Sequence, residues 1–203
     1  MKGVIATRNH HKLQEIRAIL SVPSWEWVAL DEVPGMPDEV VEDAATFEGN
    51  ALKKAREVCQ VSGLWTLADD SGLEVAALQQ APGVFSARYA GESCDSRANN
   101  AKLLRELAGV TDRRARFRCV IALCAPDGRE WTVEGCCAGR IVESERGVNG
   151  FGYDPLFVPD GYALTFAELD SVTKNRISHR GRALRLAARE WSESVLEQVK
   201  PAT

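Results

Sequence analysis

Apolar positions recur along the chain with two distinct periods. Gly3-Val4-Ile5-Ala6 is a short apolar run, and beyond the polar residues 7–12 Leu13, Ile16, Ile19 and Leu20 follow at helical spacing, which predicts strand, loop and helix in that order. Phe47, Ala51, Ala55, Val58 and Cys59 share one helical face, with Thr46 placed to cap it and Gly63 to stop it. Residues 65–68 read as a buried strand. Residues 69–72 break the run, and Leu73, Val75 and Ala77 resume it as a second strand, which puts the break at a strand end. A third helix fits 96–108 through Leu103, Leu104 and Leu107, with Asp95 or Ser96 as cap and Gly109 as stop. Phe117, Cys119, Ile121 and Leu123 alternate along a strand, and Pro126-Asp127-Gly128 supplies a turn to a partner at 131–137, an antiparallel hairpin. After the glycine-rich residues 147–152 come a short strand at 156–158 and a last helix bearing Leu184, Ala187, Trp191 and Val195. Helices and strands alternate early while a hairpin holds the middle, so the expected class is α/β, a mixed sheet flanked by helices.

Composition narrows this little but excludes much. A chain of 203 residues, 45% hydrophobic and 27% charged, suits one globular domain over 1–203. No apolar run approaches the ~20 residues that span a bilayer, and the N-terminus is too briefly apolar for a secretory signal, so a cytoplasmic protein without a membrane partner is expected. Cys59, Cys94, Cys119, Cys124, Cys136 and Cys137 form no disulfide framework, and His10, His11 and His179 stand away from them, which disfavours zinc. A net charge of -4 argues against a nucleic-acid partner.

Four segments offer chemistry. Glu42 and the Asp69-Asp70 pair are hard oxygen ligands of the kind Mg²⁺ shares with substrate phosphates, although Asp69-Asp70-Ser71-Gly72 is equally good turn sequence. Thr7-Arg8-Asn9-His10-His11-Lys12 lies between a strand and a helix, where free amides and the helix dipole favour an anion. It lacks a Walker pattern and reads equally as a capped surface helix. Asn149-Gly150-Phe151-Gly152-Tyr153-Asp154-Pro155 combines glycines, two aromatics and an acid before proline, fit either to receive a base or sugar or to turn its rings into the core. Lys174-Asn175-Arg176-Ile177-Ser178-His179-Arg180 opens the last helix with Ser178 as cap, its cations either donating to a base edge or forming a solvated basic face.

Taken together and in order, these segments resemble the inosine triphosphate pyrophosphatase family, the dITP/XTP pyrophosphatases that clean nucleotide pools. The likeness runs nearly end to end and is most specific in Ala68-Asp69-Asp70-Ser71-Gly72-Leu73, in residues 82–91, in Gly150-Phe151-Gly152-Tyr153-Asp154-Pro155 and in Ser178-His179-Arg180. The resemblance implies an elongated mixed sheet, two lobes with a central cleft, a homodimer, and Mg²⁺-dependent cleavage of ITP, dITP or XTP between the α and β phosphates. It assigns proton acceptance and a metal contact to Asp70, the second metal carboxylate to Glu42 and a supporting role to Asp69. Thr7, Arg8, Asn9, His10, His11 and Lys12 match the phosphate loop, Lys54 a lysine near the phosphates, and Ser71 a substrate contact. Phe151, Gly152, Tyr153, Asp154, Lys174, His179 and Arg180 match nucleotide-binding positions.

Two positions depart from the family pattern: Arg8 stands where the loop usually has glycine, and Gly49 where the second helix usually has glutamate. The resemblance also leads to the expectation that donors around His179 and Arg180 face the 6-oxo edge of the base, leaving adenine with a donor against a donor. Two rivals stand beside this reading. One is a pyrophosphatase for modified nucleotides of the similarly folded Maf-like kind, against which the 151–154 and 179–180 segments count. The other is a nucleotide sensor without turnover, to which the two departures lend weight and the retained acids and Lys12 do not.

Overall fold

The computed structural model describes residues 1–20, 25–37 and 40–191. Val195, expected on the last helix, lies outside them. The strands are β1 (Lys2–Ile5), β2 (Glu26–Ala29), β3 (Trp65–Val75), β4 (Arg114–Cys124), β5 (Glu130–Ile141) and β6 (Phe157–Pro159). The helices are α1 (His10–Ile19), α2 (Phe47–Ser62), α3 (Ser96–Glu106), α4 (Ser171–Ile177) and α5 (His179–Trp191). The strands form one sheet in the order β2-β1-β3-β4-β5-β6. β1 runs parallel to both β2 and β3, with Val4 opposite Val28 and Thr66, while β5 and β6 are antiparallel. The mixed α/β class is therefore as the pattern predicts. Gly3 is needed where it stands, because a Cβ there would lie 2.6 Å from the ring of Trp27.

The chain divides into two compact units. The first comprises Met1–Asp70, Val120–Gly135 and the chain from Arg180 onward, the second Ser71–Cys119 and Cys136–His179. In the first, Val4, Ile5, Ile16, Ala51, Ala55, Val58 and Leu67 are fully buried. In the second, Leu73, Leu103, Leu107, Phe117, Tyr153, Leu156, Phe157 and Phe166 belong to one apolar cluster.

Three expectations are corrected. β3 is a single strand, so Asp69 and Asp70 sit in its middle rather than at a strand end, and no turn forms at 69–72. A polar break that resembles a turn is sustained as strand because both carboxylates find cationic partners inside the fold. β2 was not anticipated; Trp27 and Val28 are good strand residues, but the run is only Glu26–Ala29. The basic segment before the last helix is itself helical, α4, capped by the Asp170 side chain on Thr173 N, and Ser178 is the extended residue between α4 and α5.

Capping of α2 and the start of α3 at Asp95 follow the sequence, whereas α3 ends at Glu106 with Leu107 as its C-cap, ahead of the Gly109 expected to stop it. The Thr46 side chain accepts from Gly49 N at 3.0 Å, and Gly63 ends α2 in the left-handed region at φ 65°. Packing explains the departure at position 49: a Cβ on Gly49 would lie 2.7 Å from Ala44 Cβ. Glycine inside a helix ordinarily costs about 0.5–1 kcal/mol against alanine. Gly49→Ala is nevertheless expected to lower the melting temperature, and Ala44→Gly in the same chain to recover the gain. Thermal melts of the single and double variants check this, and a stabilised Gly49→Ala protein would contradict it.

Candidate active site

The first unit gathers the acidic residues around three cations. Within β3, Asp69 Oδ2 receives Arg180 Nη2 at 3.0 Å and Nε at 3.2 Å and lies 3.2 Å from Lys12 Nζ of α1. The remaining Arg180 amine donates to Glu15, one helical turn beyond Lys12. Lys54 of α2 reaches Glu42 Oε1 at 2.6 Å and the Asp69 carbonyl at 2.5 Å, and stands 3.7 Å from Asp70 Oδ1. Asn50, one turn earlier on α2, donates to Asp70 Oδ2 at 3.1 Å.

Neighbouring carboxylates are thereby driven apart in proton affinity. Burial works against ionisation of Asp69, but Lys12, Arg180 and Lys54 outweigh it and hold its carboxyl well below the usual range. At Asp70 burial wins, and with the charge of Glu42 it lifts the carboxyl above its ordinary value despite Lys54, Lys12 and Asn50. Lys54 is also opposed by burial, yet Asp70, Glu42 and Asp69 raise it, so it stays an ammonium. Asp69 is thus a fixed anion, and Asp70 a carboxylate readier to take a proton. This division is the property a general base next to a charge anchor requires.

The donor set suits a hard cation. Glu15, Glu42, Asp69 and Asp70 face Lys12, Lys54 and Arg180, leaving the group one net negative charge, so its own cations cannot neutralise a polyphosphate. Among the described residues no three His, Cys, Asp or Glu side chains gather as a metal cage. Mg²⁺ does not need one, since it keeps water and phosphate oxygens around one or two carboxylates. Glu42 and Asp70, both brought to Lys54, fit that role.

In the loop before α1, Asn9 caps the helix by accepting from His11 N at 3.0 Å and Lys12 N at 3.2 Å, while Thr7 Oγ1 accepts from Asn9 N. Two amides expected to meet phosphate are therefore occupied by Asn9, and the Lys12 side chain extends to the acidic strand. Arg8 points elsewhere, donating to the Pro37 carbonyl at 2.8 Å; His10 and His11 are exposed.

In the second unit, Asp154 Oδ2 accepts from Phe151 N at 2.8 Å and from Lys174 Nζ at 2.7 Å, and Lys174 lies 5.0 Å from the centre of the Phe151 ring. Gly150 makes this turn possible, because a Cβ there would fall 2.1 Å from Asp154 Oδ2. The two aromatics part company: Tyr153 is buried and donates to the Ser86 carbonyl at 2.9 Å, whereas Phe151 is half-buried. Asn100 of α3 donates to the Gly152 carbonyl at 3.2 Å. His179 stacks on Phe117 with ring centres 4.6 Å apart and 10° between planes. Ser71 is half-buried and begins this unit's part of β3.

Arg180 is 2% exposed, and its guanidinium is engaged by Asp69 and Glu15, which makes it an anchor for the acidic strand in the first unit. Sequence reasoning missed Glu15 and Asn50. The signal was available in helical spacing, since Glu15 follows Lys12 by one turn and Lys54 follows Asn50 by one turn.

A mixed sheet with helices, carrying a carboxylate pair in the central strand β3, lysines that reach it from α1 and α2, and a glycine-aromatic-acid turn, describes a class of nucleotide-handling α/β protein. The Ham1 family matches residues 3–190, and the chain belongs to that family. It is similar to the dITP/XTP pyrophosphatase of Desulforamulus reducens, 53% identical over 92% of this chain and 94% of that one. It is likewise similar to that of Geobacter sulfurreducens, 54% identical over 90% and 92%. Among solved structures, the Ham1 protein of Staphylococcus aureus aligns over 95% of this chain and 99% of its own with a TM-score of 0.86 at 39% identity. That of Coxiella burnetii aligns over 96% and 100% with the same TM-score at 40% identity.

The depressed proton affinity of Asp69 has a pH signature. Its stabilising contribution is complete above its unfolded value of about 3.9 and is lost as pH falls through the lower folded value. Asp69→Asn is expected to cost about 3 kcal/mol at pH 7, as for a buried charge whose partners are left behind. That difference should shrink steadily below about pH 4. Urea unfolding of both proteins from pH 7 to 3 checks this, and a gap that widens with acid would refute it.

Proposed function

We propose that residues 1–203 act as one nucleoside triphosphate pyrophosphatase domain that hydrolyses non-standard purine nucleotides, dITP, XTP and ITP, to the monophosphate and pyrophosphate. The observation that carries this reading is the unlike pair at the centre of β3: Asp69 held anionic by Lys12 and Arg180, Asp70 kept proton-accepting by burial. The names of the relatives supply the substrate class. The same reading takes the protein as a cytoplasmic homodimer; no helix among the described residues is long and apolar enough to cross a membrane.

In this mechanism Asp70 accepts the proton of a water whose oxygen attacks the α phosphorus. The new P–O bond forms as the bond from that phosphorus to the pyrophosphate oxygen breaks. Lys12 donates to the departing pyrophosphate, and Asp69 keeps the Lys12 ammonium in place. Lys54 holds Glu42 and the strand beside Asp70. Mg²⁺ on Glu42 and Asp70, when bound, supplies charge neutralisation for the phosphates. Thr7, Arg8, Asn9, His10 and His11 shape the phosphate loop, with Asn9 as its cap and Arg8 as its tie to Pro37.

For the second unit we assign Ser71, Phe151, Gly152, Tyr153, Asp154, Lys174 and His179 to the nucleotide, Tyr153 by anchoring its turn and Phe151 by offering a ring. With a face of the His179 ring covered by Phe117, its donors work at the ring edge, which suits an oxo acceptor. Arg180 contributes through Asp69. The sensor reading is weaker, because the Arg8 and Gly49 departures that favoured it are accounted for by Pro37 and Ala44; against the Maf-like reading stand the 151–154 and 179–180 segments.

Asp70→Asn should lower kcat about 10²- to 10⁴-fold with Mg²⁺ and dITP, as loss of a general base does. Pyrophosphate release measures this, and activity within a fewfold of wild type would remove Asp70 from the role. On a panel of ITP, XTP, GTP and ATP, kcat/KM is expected to favour the first two. Equal values across the panel would contradict the oxo-edge account, and pyrophosphate-free binding would favour the sensor.

A further inference from the structure

Asn50 is fully buried in the first turn of α2 and uses both ends of its side chain. Its Nδ2 donates to Asp70 Oδ2 at 3.1 Å, and its Oδ1 accepts from Ala44 N at 2.9 Å. The amide has one sensible orientation, since the reverse would set oxygen against carboxylate and N–H against N–H. Ala44 stands two residues after Glu42, so holding its amide restricts where the chain that carries Glu42 can run. Lys54, one turn further on the same helix face, grips the same two stretches of chain through Glu42 and the Asp69 carbonyl. Gly49 lets residue 44 come this close, as any Cβ there would meet Ala44.

We propose that Asn50 is a positioning residue that sets the orientation of the Asp70 carboxylate and its spacing from Glu42, and thereby forms the two-carboxylate cation site. This rests on the reading of Asp70 and Glu42 given above. The requirement is for a neutral amide long enough to donate to Asp70 and accept from Ala44 N at once, a reach that a serine hydroxyl lacks. A carboxylate at position 50 would add charge against Asp70, and an apolar residue would leave both the Ala44 amide and the Asp70 oxygen without this partner. Partners that orient ligands from behind typically contribute 10- to 100-fold in metal affinity.

The test uses full-length protein and two readouts, Mg²⁺ titrated alone by calorimetry and dITP kinetics. Asn50→Ala is expected to weaken Mg²⁺ about 10-fold or more and to lower kcat by a similar factor with KM moved less than about threefold. Asn50→Ser, smaller in its disturbance, should show the same pattern and serves if the alanine variant does not fold. Thr46→Ala removes the α2 cap bond to Gly49 but neither Asn50 contact, and should lose thermal stability while keeping wild-type Mg²⁺ affinity and kcat. Asn50 variants with wild-type Mg²⁺ affinity and kcat would overturn the proposal, as would losses that Thr46→Ala reproduces at equal stability. Asp70→Asn in parallel separates the two failures: if it stays active, the reading of Asp70 falls, and if it is inactive while Asn50→Ala is normal, only the role of Asn50 falls.

Discussion

A carboxylate buried in the middle of a strand is tolerable only when its charge is matched, and Asp69 meets that condition through Lys12 and Arg180. Much else in the first unit follows from it. Arg180 is the first residue of that unit's last segment, so the ion pair fastens α5 to β3 and, through Glu15, to α1. Lys12 is held at the end of the Asn9-capped loop by the same carboxylate. With Asp69 satisfied in this way, its neighbour Asp70 is left to burial, Asn50 and Lys54, and it emerges with the opposite shift in proton affinity.

Stability and chemistry therefore use adjacent residues for opposed purposes. Asp69 gains from its surroundings and returns that gain as a fixed point for two cations. Asp70 sits in surroundings that resist its charge, the ordinary mark of a functional carboxyl rather than a structural one. Backbone economy supports the arrangement: adjacent residues of a strand point to opposite faces, so two carboxylates one residue apart can face different partners.

Where elements carried their own capping and periodicity, the sequence foretold them well. Thr46 and Gly63 bound α2 as their chemistry requires, and Asp95 begins α3. Prediction failed where long-range contacts overrode local preference. Residues 69–72 have turn composition, but partners as remote as Arg180 keep them in β3, and nothing local to the strand announces that. β2 is too short for its alternation to stand out, and α4 owes its start to Asp170, outside the basic segment that drew notice. Of the candidate site residues, Lys12, Lys54, Glu42, Asp69 and Asp70 are legible in the sequence and are gathered in the first unit, while Glu15 and Asn50 carry no local signal beyond their helical spacing from Lys12 and Lys54.

The division of labour between Asp69 and Asp70 is the central claim, and stability rather than rate isolates it. For a carboxyl whose folded proton affinity is raised, ionisation at neutral pH detracts from stability, and neutralising it relieves the fold; for one whose affinity is lowered the sign is reversed. Thermal unfolding of Asp69→Asn and Asp70→Asn side by side at pH 7 without Mg²⁺ is the direct measurement. The account predicts a lower melting temperature for the first and an unchanged or higher one for the second. Equal losses in both would contradict it.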